Sequence, residues 1–238
     1  MRPRFRSGSI HLFYHKILLT QYKNLFSNMN RNKKLILKCY HLRMKLVVGL
    51  GNPGKEYKNS RHNTGWIMLD YLLGNKIEWK QSSGTKALFL KDSISGKPVE
   101  YLKPTTFMNN SGVAVAYVKD KQKLQLKDFV IIYDDVDLPI GKMKISFDKS
   151  SGGHNGLESV IKKLKSRKFL RIRIGISPVT SSGKLKKIKG EKGMLNFLLG
   201  EYKKNELAEL RKLSKKVKEA IEMVFTEGKD KAMSIYNQ

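Results

Sequence analysis

Cysteine is nearly missing from this chain: Cys39 stands alone among 238 residues, so no disulfide forms within it and no cysteine-built zinc site exists. A single thiol suits a reducing compartment, and the expected location is the cytoplasm. No apolar run approaches the ~18 residues that a membrane span requires, which excludes a spanning helix read from sequence. A Gly-x-Ser-x-Gly elbow is also lacking, so a serine nucleophile on that kind of turn is excluded. Acidic residues are scarce. Only 20 Asp and Glu oppose 48 Lys and Arg, a formal net charge of +28, and an imbalance of this size favours a polyanionic partner, nucleic acid first.

What is present begins with an acid-free segment. Residues 1 to 43 hold ten Lys and Arg and no Asp or Glu, and show neither strand alternation nor a long helical stripe. This basic extension is expected to lie outside the fold. It reads either as an organellar targeting peptide or as translation upstream of a start at Met44. Met44 stands immediately before the first strand and the segment lacks serine bias, which favours the second. Subtracting its ten charges from +28 leaves +18 for residues 44 to 238, so the expected domain is itself strongly basic.

From Lys45 onward short apolar runs alternate with segments of helical period. Strands are expected over 45 to 50, 86 to 90, 98 to 103, 128 to 134, 141 to 147 and 171 to 177. Helices are expected from Asn63 or Thr64, either of which could serve as N-cap, to residue 73, over 111 to 120, over 156 to 166, where Leu157, Val160, Ile161 and Leu164 share one face, and over about 204 to 225. The stretch 177 to 193, rich in Ser, Gly and Lys, reads as a mobile basic loop. The predicted architecture is α/β: a single domain with a twisted mixed, mostly parallel sheet sandwiched by helices.

Gly49, Gly51 and Gly54 spell a G-x-G-x-x-G after the first strand, yet a dinucleotide site does not follow. That fold needs a packed helix at the third glycine and an acid ending the second strand about twenty residues on. Here "KEYKNSRHNT" carries no apolar stripe, and Asp70 falls inside a helical pattern. Asn52-Pro53 signals a turn instead. Three polar loops, bearing Asn52 and Tyr57, Asn109, and Asp134, are then expected past the carboxyl ends of neighbouring strands, where open α/β sheets bind ligands. "SGGHNGL" places His154 and Asn155 before a helix, a position suited to anions or carbonyl oxygens.

Only His62 and His154 supply imidazoles after residue 43. A histidine activates water when an acceptor fixes its tautomer, and Asp134 could be that acceptor for His62, with water where a serine would otherwise stand. Asp135 and Asp137 read as turn or surface carboxylates. With no histidine at metal-ligand spacing beside these acids, no metal is expected.

The motifs "VVGLGNPGKEYKNSRHNTGW", "KPTTFMNNSG", "YDDVDLP", "SGGHNGL" and "LRIRIGI", in this order and spacing, resemble bacterial peptidyl-tRNA hydrolase from Met44 to the C-terminus. The resemblance implies cleavage of the ester between peptide and tRNA without metal or cofactor, with His62 as general base and Asp134 orienting it. It implies that Asn52 and Asn109 hold the substrate, that Asn155 binds near the 3′ end or the water, and that Tyr57 and Met108 line the cleft. Arg173 would contact tRNA phosphate, with Lys144, Lys142, Arg171 and the lysines of 184 to 192 as neighbours, on the acceptor stem and 3′ end. Ser146 stands where the family has a lysine. A monomer is implied, with no membrane partner. The alternative is a non-catalytic RNA-binding relative of the same fold, like chloroplast intron-splicing factors.

Overall fold

The structure is a computed structural model that describes residues 43–74, 77–82 and 84–238. The expected N-terminal extension, Arg43 aside, lies outside the described residues.

Among the described residues seven strands form one sheet: β1 (Lys45–Gly49), β2 (Lys80–Ser82), β3 (Ala87–Ile94), β4 (Lys97–Pro104), β5 (Phe129–Pro139), β6 (Met143–Phe147) and β7 (Leu170–Ser177). Their order is β2-β3-β4-β1-β5-β7-β6. The four central strands run parallel, while β2-β3-β4 and β7-β6 close the edges antiparallel. Central strands buried on both faces demand nearly continuous apolar sequence, which is why "LVVGL" and "FVIIY" are legible as strands.

Six helices among the described residues cover the two faces: α1 (Thr64–Leu73), α2 (Ser111–Lys121), α3 (Asn155–Leu164), α4 (Gly190–Leu199), α5 (Lys204–Thr226) and α6 (Lys229–Tyr236). Alternation along the strands divides the core in two. Val47, Val130, Ile132 and Ile172 pack with α1, α5 and α6, through Leu69, Val217 and Ala232; Leu46, Val48, Phe129 and Ile131 pack with α2 and α3, through Val115 and Val160. Each fully buried aliphatic side chain contributes roughly 1.5–3 kcal/mol. The sandwich is as expected.

Close approach explains the first glycine. A Cβ at Gly49 would stand 2.3 Å from the carbonyl oxygen of Gly65, so α1 rests directly on β1. At Gly54, φ is +118°, and the chain enters a short 3₁₀ turn, Lys55–Tyr57, rather than a packed helix. The G-x-G-x-x-G therefore serves a turn and a backbone contact.

Several expectations shift. The run 128 to 134 continues as β5 to Pro139 because it keeps pairing with β7 through Asp135 and Gly175 before a bulge, so Asp134 lies within a strand and not in a loop beyond one. Asn63 stands at the N-cap of α1 but makes no capping bond, since its amide is engaged with Asn52. The last residues of the expected loop 177 to 193 begin α4, a helix without a buried residue. Neither β2, three polar residues at the sheet edge, nor the short α6 has a strong sequence pattern. At the opposite edge the Asn237 side chain accepts from Ile145 N–H at 2.6 Å and donates to its carbonyl at 2.9 Å. It stands in for a neighbouring strand beside β6.

Candidate active site

β1 ends at Gly49, opposite Ile132 of β5. Two residues further along β5, Asp134 faces the space that β1 has vacated, and the 3₁₀ turn Arg61–Asn63 brings His62 there. Arg61 anchors that turn. Its guanidinium donates to the Gly200 and Glu201 carbonyls and to Glu206, and its Cζ lies 4.7 Å from the Phe197 ring centroid.

His62 Nδ1 lies 2.9 Å from Asp134 Oδ2, and His154 Nε2 lies 3.1 Å from Asp134 Oδ1. One carboxylate thus bridges two imidazoles. The Leu157 amide donates to His154 Nδ1 at 3.1 Å, capping α3 and leaving the His154 proton on Nε2, directed to Asp134. Asp134 then receives Nδ1–H from His62, and His62 Nε2 keeps a lone pair with no protein partner among the described residues. The two rings are 4.9 Å apart.

Burial alone would lower the His62 pKa, but the Asp134 charge and hydrogen bond outweigh it and hold it above 6.5. Burial likewise disfavours the Asp134 anion, yet the two rings beside it hold its pKa well below the usual carboxylate range. Tyr133 packs edge-on to His154 at 4.9 Å. Its hydroxyl is pushed up to about 12 by burial and by Asp135, so it stays protonated.

The nitrogen and oxygen atoms of His62, Asp134 and His154 lie within 4.8 Å of one another. His154 is the second imidazole that sequence spacing did not bring beside these acids. A cation would need the His154 Nε2 lone pair, and the Leu157 amide on Nδ1 keeps a proton there. The hydrogen bonds do not suit a metal.

Asn52 is buried and doubly fixed. Its backbone N–H donates to Asn63 Oδ1 at 2.7 Å, and Asn63 Nδ2 donates back to its carbonyl at 3.0 Å. Met108 N–H donates to Asn52 Oδ1 at 2.7 Å, which leaves the Asn52 NH₂ to donate elsewhere. Met108 itself is 3% exposed, and a Cβ at Gly156 would clash with its sulfur at 2.2 Å and lie 3.2 Å from His154 Cε1. It forms the floor beneath the histidine. Asn109 is exposed beside it, and Tyr57 is half-buried on the Lys55–Tyr57 turn.

A cavity of about 600 Å³ opens from His62 and Asp134 past Asn155, Lys144 and Arg173 to Met194 and Met233. Lys144 and Arg173 are cross-strand neighbours on β6 and β7, and exposed Lys142 shares the Lys144 side of the chain two residues earlier. Arg173 Nε binds Asp135, which is 8% exposed. Asp135 is therefore a buried ion-pair partner and not a surface carboxylate, while Asp137 is exposed as expected. Arg171 does not face the cavity as a phosphate ligand: it is 0% exposed and donates to the Ser150 carbonyl at 2.8 Å, holding the loop ahead of His154. Ser146 is also buried.

Sequence reasoning missed His154 as a partner of Asp134, and Arg61 and Asn63 as supports. Only the position of His154 just before a helix hinted at a fixed ring.

Fold and site together define an open α/β protein with an imidazole-carboxylate-imidazole cluster at the carboxyl end of its sheet. The profile of the family described as peptidyl-tRNA hydrolase matches residues 46–238. A peptidyl-tRNA hydrolase of Lachnospira eligens is 38% identical over 194 residues, 82% of this chain and 100% of that protein. One from Thermotoga maritima is 42% identical, covering 81% and 96%. The crystal structure of peptidyl-tRNA hydrolase from Acinetobacter baumannii superposes with a TM-score of 0.71 at 26% identity, over 82% of this chain and 95% of that one. The chain belongs to the peptidyl-tRNA hydrolase family.

Proposed function

We propose that this chain hydrolyses peptidyl-tRNA at the ester between the peptide and the terminal ribose, with His62 as the general base. His62 Nε2 takes a proton from water as the oxygen attacks the ester carbonyl. When the carbon-to-ribose-oxygen bond breaks, the same ring returns the proton to the ribose oxygen, giving a peptide acid and free tRNA. Ionised Asp134 keeps the proton on His62 Nδ1 and stabilises the imidazolium. The observation that carries this reading is the bridging carboxylate, with His62 Nδ1 2.9 Å from Oδ2 and the other oxygen held by His154.

The Asn52 NH₂, its oxygen already engaged, is the donor for the developing oxyanion, an interaction worth about 3 kcal/mol in acyl-transfer sites. Asn109 holds the substrate at the rim, Asn155 the 3′ end or the water, and Tyr57 and Met108 shape the surrounding cleft. Arg173, Lys144 and Lys142 bind phosphates of the acceptor stem. Such contacts confer affinity without base identity. The catalytic unit is residues 44–238, acting as a cytoplasmic monomer. Among the described residues no helix is long and apolar enough to cross a membrane.

Cleavage of N-acetylaminoacyl-tRNA by the wild-type chain and by His62→Ala tests this. The substitution should lower kcat by about 10²–10⁴-fold. If both proteins are inert while tRNA binding persists, the chain is a non-catalytic RNA-binding relative.

A further inference from the structure

The ester joins two moieties that leave the reaction centre in different directions, and the strand order separates two surfaces beside that centre. The cavity bearing Arg173 and Lys144 lies toward β7 and β6, at one end of the order β2-β3-β4-β1-β5-β7-β6. Across β1 from β5, the 3₁₀ turn Met108–Asn110 follows β4 and leads directly into α2. Asn109, Val113, Tyr117 and Lys121 recur there every four residues, so they form one stripe along the helix. All four are exposed. Val113 and Tyr117, at 38% and 43% exposed, are apolar or aromatic groups facing solvent, and Phe107, just before the turn, is 56% exposed.

Two further observations set this stripe apart from scattered surface hydrophobics. Phe107 adopts φ 54° and ψ 159°, a left-handed backbone that a bulky residue avoids. Its carbonyl accepts from the Asn110 amide at 3.0 Å, fixing that strained geometry while the ring remains in water. At the far end the stripe has a wall: a Cβ at Gly84, in the β2-β3 turn, would lie 3.4 Å from the Tyr117 hydroxyl, and Lys121 Nζ sits 5.7 Å from the Tyr117 ring centroid.

We infer that the solvent face of α2, from Asn109 over Val113 to Tyr117, is a docking track for the peptide moiety of the substrate. The inference rests on the peptidyl-tRNA reading above. From Asn109 to Tyr117 the helix rises ~12 Å, eight residues at ~1.5 Å each, which accommodates about four residues of extended peptide at ~3.3 Å apiece. The track takes apolar side chains upstream of the residue esterified to tRNA. Tethering through the ester supplies a high effective concentration, so a shallow surface suffices. Arg173 and Lys144 lie on β7 and β6 at one end of the sheet, whereas Asn109, Val113 and Tyr117 carry no charge and Lys121 stands only beyond the track's far end, so the track itself suits peptide and not phosphate.

The test compares N-acetylaminoacyl-tRNA with a hexapeptidyl-tRNA of apolar sequence on the same tRNA, using the full chain and the double variant Val113→Ser, Tyr117→Ser. For the wild type, KM should be lower for the longer substrate. The variant should raise the hexapeptidyl KM about five- to tenfold, leaving its kcat and both constants for N-acetylaminoacyl-tRNA unchanged. Val113→Leu should retain the length preference. A thermal midpoint within a degree or so of wild type, roughly what surface substitutions give, verifies the fold. Equal KM increases on both substrates would assign the face to tRNA, and no change on either would leave it without a ligand; each outcome overturns the track. Failure of the wild type to cleave even N-acetylaminoacyl-tRNA would instead remove the hydrolase reading itself.

Discussion

Replacing Asp134 with asparagine changes one oxygen to nitrogen, and the structure dictates which ring meets which atom. His154 has no choice of tautomer: Leu157 N–H occupies its Nδ1, so its Nε2–H requires an acceptor. Asparagine must therefore turn its oxygen to His154 and its NH₂ to His62. His62 Nδ1 then becomes an acceptor, the proton moves to Nε2, and the lone pair that water needs is lost. The corresponding substitution in a Ser-His-Asp triad lowers kcat about 10⁴-fold by imposing the wrong tautomer, and a loss of about 10³–10⁴-fold in kcat is expected here, with little change in KM. Nitrogen-15 chemical shifts of the His62 ring would report the tautomer directly. A second substitution sharpens the test. In Asp134→Asn, His154→Ala the asparagine can rotate and offer its oxygen to His62, so kcat should recover about tenfold over the single variant, despite the loss of a helix cap worth about 1 kcal/mol. A single-variant loss below tenfold, or a double variant slower than the single, would refute the tautomer argument.

Because Asp134 holds His62 above 6.5, kcat/KM should fall as pH drops, with the midpoint of its acid limb above 6.5; a midpoint below that value contradicts the assigned base. Stability runs the other way: a raised folded pKa adds stability that is fully present below 6.5 and disappears as pH rises through the folded value, so thermal melts in that window should show the His62 contribution declining. Lys144→Ala should weaken tRNA binding, reduce the slope of log K against log salt by about 1 and leave kcat intact; an unchanged slope would remove Lys144 from the phosphate contacts. Gly112→Ala would place a methyl 2.1 Å from the Ser159 carbonyl oxygen where α2 crosses α3. The expected loss is about 1–3 kcal/mol, seen as a fall in thermal midpoint of roughly 2–12 °C, and an unaltered midpoint would contradict the packing.

The pairing of His62 with Asp134, seen as a 2.9 Å contact, was legible because an imidazole that activates water needs an acceptor to fix its tautomer, and few histidines occur after residue 43. The central strands were legible because burial on both faces leaves long apolar runs. His154 was legible as a residue before a helix but not as a partner of Asp134, since that contact depends on how the loop before α3 folds over the end of β5. Arg171 and Arg173 are two residues apart in one strand and read alike. What separates them is the same loop, whose Ser150 carbonyl takes the first, whereas the second meets Asp135. The helix α4 was obscured by Gly190 and Gly193 and by the lysine-rich run ahead of it, and it has no buried residue whose spacing could announce it.

The guanidinium of Arg171, wholly enclosed and clasping the strap that carries His154, has a consequence for turnover. Guanidinium groups keep their proton at any pH where proteins function, whereas in the proposed mechanism the ring of His62 gains and releases one in every cycle. The scaffold is thus tied down by a cation that does not titrate. Protonation of the base can come and go without slackening the fastening that sets its geometry.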